Sequence, residues 1–183
     1  MARNTRIAGI AALLAVAASV AGVIHRRGEI PPAIALVDRF AGAEKRPVGA
    51  AFPVKDLAIN GDTRQGISVR ADSRLVWRVI LPNQGWLRAA IALEPGVWTQ
   101  EGDGMVFRVG ISDGRTYKEL FAQRLDPYGN AQDRRWVPVS VDLSAYGGQP
   151  VEVIFNTNAS LPGKADSRND IGFWGAPGIY LRP

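Results

Sequence analysis

From residue 54 onward apolar and polar positions alternate with a period of two. Leu75, Trp77, Val79 and Leu81 interleave with Arg74, Val76, Arg78 and Ile80; Leu87, Ala89, Ile91 and Leu93 interleave with Arg88, Ala90, Ala92 and Glu94. The odd positions from Met105 to Ile111, Val137 to Leu143 and Val151 to Phe155 repeat the device. Such alternation marks half-buried strands. Segments 56–59, 67–70, 117–125 and 171–181 bring the expected total to eight or nine strands. Between them lie turn clusters such as Pro82-Asn83-Gln84-Gly85, Ser112-Asp113-Gly114 and Gly147-Gly148-Gln149-Pro150. No connection carries a ten-residue helical pattern, which excludes a parallel α/β sheet. The expected class is all-β, an antiparallel β-sandwich of jelly-roll type over residues 54–183.

The first 53 residues follow other periods. Residues 7–24 are eighteen uncharged positions, roughly 27 Å as a helix, and Arg3, Arg6, Arg26 and Arg27 flank them. The run meets His25 and Arg26 without the polar small-residue stretch of a cleavage region. Residues 1–27 are therefore read as a transmembrane anchor; the other reading is a signal peptide cut after Ala17 or Ala21. A short N-terminal tail held in the cytoplasm puts the rest outside. The expectation is a single-pass protein of a bacterial inner membrane with its C-terminal domain outside the cytoplasm, in the periplasm where the bacterium has two membranes. Gly9, Ala12, Ala15, Ser19 and Gly22 recur at spacings of three and four, which suits close packing against a partner helix. Residues 28–53 hold Pro31, Pro32, Pro47 and Pro53 and read as a linker. Within it Ala33, Leu36, Val37 and Phe40 suggest a two-turn amphipathic helix.

Composition narrows the chemistry. The 183 residues include no Cys and one His, which excludes thiol nucleophiles, disulfides, iron–sulfur clusters, Cys-ligated zinc and most Ser/His catalysis. Four of the five formal positive charges flank the apolar run; from Gly28 onward 18 basic residues face 17 acidic ones. Nucleic acid is therefore not an expected partner. Glu101 and Asp103, in a Gly-flanked turn, lack the geometry of a glycosidase pair. No phosphate loop or nucleophile elbow is present, so the chain is expected not to be an enzyme.

Met105 to Gly114, Leu120-Phe121 with Leu125-Asp126-Pro127, Trp136 with Val141 through Val151, and Gly172-Phe173-Trp174-Gly175-Ala176-Pro177 carry a resemblance. The chain resembles the galactose-binding-like jelly-roll modules of bacterial envelope proteins, similar in fold to carbohydrate-binding modules. The resemblance implies noncatalytic recognition or scaffolding. Trp86, Trp98 and Tyr128, in or beside turns, are the aromatics expected at a ligand or partner surface, whereas Trp77 and Trp136 are expected to be buried. Arg78 and Arg108, with Arg74 and Arg88, point outward and would form a basic face toward an acidic partner or membrane lipid. Asp166, Asn169 and Asp170 could supply oxygens to a structural calcium ion, as such jelly rolls sometimes do, or form a turn in which Asp166 pairs with Arg168. No other cofactor is expected. The leading expectation is a membrane-anchored accessory subunit whose jelly roll binds or braces a larger membrane protein complex. The alternative is a carbohydrate-binding module recognising an envelope glycan.

Overall fold

The computed structural model describes residues 30–159 and 166–181. Contacts divide the chain into Met1–Pro31 and Pro32–Pro183, and every described strand lies in the second unit. The expected membrane helix and its packing positions Gly9, Ala12, Ala15, Ser19 and Gly22 lie outside the described residues. Among the described residues no helix is long and apolar enough to cross a membrane.

Among the described residues eleven strands build the second unit: β1 (Ile34–Ala35), β2 (Glu44–Arg46), β3 (Val54–Ile59), β4 (Asp62–Arg70), β5 (Ser73–Ile80), β6 (Gly85–Leu93), β7 (Met105–Ser112), β8 (Tyr117–Leu125), β9 (Val137–Asp142), β10 (Pro150–Ala159) and β11 (Ile171–Leu181). The first sheet runs β3-β4-β11-β6-β9, with β1 also paired to β11; the second runs β2-β5-β10-β7-β8. All pairs are antiparallel. One side of β11 is shared, β4 taking Ile171 to Gly175 and β1 taking Gly178 and Ile179. A bulge at Ala176 and Pro177 separates the two stretches.

The inward sets expected from the alternation meet between the sheets. Leu75, Trp77 and Val79, Leu87, Ile91 and Leu93, Phe107 and Val109, and Val153 and Phe155 belong to one core. An aromatic seam runs through it. Trp174 packs on Phe107 and Phe155 at centroid separations of 5.2 and 4.3 Å, Phe155 on Trp77 at 5.0 Å, and Trp77 on Phe40 at 6.2 Å. Ring pairs of this kind add to the free energy of burial.

Residues 32–53 correct the linker expectation, and the count rises from eight or nine strands to eleven. There is no amphipathic helix over Ala33 to Phe40. Ile34 and Leu36, two apart, both enter the core, while Ala33 is exposed. Strand pairing wins because Ile34 and Ala35 find open backbone groups on β11, and the Leu36 carbonyl accepts the Trp77 indole N–H at 3.0 Å. β2 then pairs with β5. Leu36 is 0% exposed, so Leu36→Ala should lower stability by about 2–5 kcal/mol. Urea unfolding measures it, and an unchanged midpoint would return this segment to linker status.

Candidate functional site

The outer face of the second sheet is built from residues the core rejects. Arg74, Val76, Arg78 and Ile80 of β5 lie beside Asn156, Ile154, Glu152 and Pro150 of β10, and β7 adds Arg108, Gly110 and Ser112. Val76 and Ile154 are buried yet stand outside the core cluster, so they form an apolar floor on the outer side. β8 contributes Tyr117, opposite Ser112. A β-carbon at Gly110 would occupy the space of the Tyr117 ring and hydroxyl. Glycine is thus what lets the ring lie against the sheet. Tyr117 remains 44% exposed.

Polar side chains rim this floor. Arg74 Nε donates to Asn156 Oδ1 at 2.7 Å. Arg108 pairs with Glu119 at 2.7 Å; Arg78 pairs with Glu152 at 3.0 Å and reaches Glu44 at 3.4 Å. Burial and the charge of Glu119 raise the Tyr117 phenol above its ordinary range, opposed by a hydrogen bond with Asn156 and by the charges of Arg74 and Arg108. The phenol is therefore neutral at physiological pH and available as a donor. At one end the face deepens into an open groove of about 410 Å³ lined by Arg78, Ile80, Asp113, Gly114, Pro150 and Glu152. That volume falls in the range of small-ligand sites.

The residues singled out from sequence are dispersed. Arg78 and Arg108 belong to this face, as does Arg74. Arg88 does not: it lies on the first sheet, 5.3 Å over the Tyr180 ring, so the four arginines form no common basic face. Trp86 is half-buried on the first sheet beside Tyr180. Trp98 is also half-buried, packed on the core, with its indole N–H donated to the Leu93 carbonyl at 2.8 Å. Both were expected to be exposed; flat neighbours and a nearby backbone acceptor draw them in. Tyr128, 49% exposed, is in the β8–β9 connection. Arg134 ties that connection to the Trp98 loop through the carbonyls of Pro127 and Trp98. Trp86, at the start of β6, and Trp98, beyond its end, cannot form one platform. Trp77 is buried as expected. Trp136 is only half-buried, on the outer side of the first sheet against Phe173, with Arg64 over its ring. It roofs that face over Gly175 and Phe173, on the same sheet where Ala90 and Ala92, which alternation alone assigns to solvent, are also buried.

Before β11, Asp166 is engaged by Arg168 at 2.5 Å and Asn169 donates its amide to the Glu101 carbonyl at 2.9 Å. Asp170 is only 2% exposed, and among the described residues its Oδ2 has no hydrogen-bond partner. Burial first, then the charges of Asp103, Asp166 and Asp72, push its carboxyl up to about 7. Asp166 is thus paired with Arg168, and burial favours the protonated form of Asp170. Among the described residues no three acidic or imidazole side chains converge as a metal cage.

The two sheets form an antiparallel β-sandwich, a fold shared with solved carbohydrate-binding modules. A family 51 carbohydrate-binding module of Clostridium perfringens GH95, solved with methyl-galactose, aligns with a TM-score of 0.54 and 13% identity, covering 74% of this chain and 92% of that one. TmCBM61, solved with β-1,4-galactotriose, gives 0.52 and 14%, covering 78% and 90%. The M60 catalytic domain structure of C. perfringens ZmpB, which includes two CBM51 domains, gives 0.50 and 12%, covering 83% of this chain and 14% of that one. In that last structure the CBM51 domains accompany a catalytic domain. By sequence, an uncharacterized protein of Archaeoglobus fulgidus is 43% identical over 103 residues, 55% of this chain; the chain spans about a quarter of that relative's length, since the match covers 25% of it. No protein-family model matches.

Proposed function

We propose that this chain is a noncatalytic carbohydrate-binding module that holds a glycan on the outer face of the second sheet. The observation that carries this reading is the Tyr117 ring, laid over Gly110 beside an apolar floor and rimmed by fixed hydrogen-bonding groups. An exposed ring face takes the C–H side of a pyranose, and the rim satisfies its hydroxyls. The fold neighbours solved with sugars support the reading; the accessory-subunit expectation has no such support. The apolar run at residues 7–24 would anchor the module at a membrane or export it, with the sandwich outside the cytoplasm.

Titration calorimetry against a panel of oligosaccharides, β-1,4-galactotriose included, tests the reading. Tyr117→Ala should weaken binding at least tenfold, about 1.4 kcal/mol, while Tyr128→Ala leaves it within twofold. Loss with Tyr128→Ala and retention with Tyr117→Ala would move the site to the loops. Gly110→Ala should also weaken binding severalfold, because the added methyl displaces the ring.

A further inference from the structure

The charged side chains of the proposed binding face are not equally satisfied. Arg46 is paired with Glu44 at 2.7 Å, Arg78 with Glu152 and Glu44, and Arg108 with Glu119. Arg74 is different. Among the described residues it has no carboxylate partner, and its one hydrogen bond runs from Nε to the neutral Asn156 amide. Asn156 is itself buried and also bonds the Tyr117 phenol. The guanidinium is thereby oriented from behind by a fixed side chain, with its terminal nitrogens left for something else. It stands next to the one exposed aromatic ring of this face.

Resting on the carbohydrate-binding reading above, we propose that the glycan carries a carboxylate, a uronic acid unit whose C6 carboxyl is held by the Arg74 fork while its ring packs on Tyr117. A planar guanidinium matches a carboxylate through two parallel N–H···O bonds, and the pair is stronger than neutral hydrogen bonds. A neutral hexose offers only hydroxyls at that place and leaves the positive charge unanswered. Asn156 lowers the ordering cost, because the arginine is already fixed before the ligand arrives.

The test compares trigalacturonate with its carboxyl-reduced counterpart, which differs only at C6, on the intact chain. Trigalacturonate should bind at least tenfold more tightly, and the preference should shrink as salt rises from 50 to 500 mM, values chosen to bring the Debye length from roughly 14 to about 4 Å. Arg74→Gln should remove the preference, weakening trigalacturonate at least tenfold more than it weakens the reduced sugar, and Arg74→Lys should restore part of the preference. Equal binding of both sugars, abolished by Tyr117→Ala, would overturn the carboxylate assignment and leave the module reading standing. A preference that survives Arg74→Gln would overturn the role of Arg74. If neither these sugars nor any member of the oligosaccharide panel binds, both readings fall.

Discussion

Trp174→Ala should cost about 3–5 kcal/mol, the largest loss expected of any single substitution in the sandwich. The side chain is 1% exposed and, from the central strand of the first sheet, touches two rings of the second, Phe107 of β7 and Phe155 of β10. Removing the indole leaves a cavity between elements that cannot close it without breaking strand pairing. A domain of this size has roughly 5–15 kcal/mol in all, so the variant would be marginal at 37 °C. Denaturant unfolding measures the loss; less than about 1 kcal/mol would mean that Trp174 does not link the sheets.

The second large effect is a stability that declines from mild acid to neutrality. Asp170 has its folded-state pKa pushed up to about 7 from a reference of 3.8. Between these values folding takes up a proton: its contribution is fully present below about pH 4 and lost as pH rises through about 7. The total is at most about 4 kcal/mol. Asp166, held down to about 2 by Arg168, acts oppositely and only at lower pH; being exposed, it contributes little. Thermal melts should therefore show a higher midpoint at pH 5 than at pH 8. Asp170→Asn should flatten the profile and stabilise the protein at pH 8. Millimolar calcium should leave the wild-type profile unchanged; a calcium-dependent rise at pH 8 would put a cation where the proton is assigned.

The sandwich was legible because five strands advertise one buried face each. β5, β6, β7, β9 and β10 place their odd positions inside, as the alternation requires. β1 and β2 were not legible. Two and three residues are too short for a period to register, and Ala33, Leu36, Val37 and Phe40 satisfy a helical template by coincidence. The binding face was hidden for another reason. Arg74, Asn156 and the hairpin that carries Gly110 and Tyr117 are far apart in the chain and meet only through the order β5-β10-β7-β8. The available signal was Gly110, an isolated glycine within an alternating strand, where a close approach is the usual cause. Tryptophans drew attention by size, yet size makes them good roofs and core fillers, which is how Trp98, Trp136 and Trp174 are used.

Backbone amide NMR during titration with a bound oligosaccharide addresses the central claim most directly, because it locates the ligand without mutation. Shifts concentrated at Arg74 to Arg78, Arg108 to Ser112, Tyr117 to Glu119 and Glu152 to Asn156 are the expected result. Shifts centred instead on Trp98, Tyr128 and the loop before β11, with the second sheet silent, would contradict it.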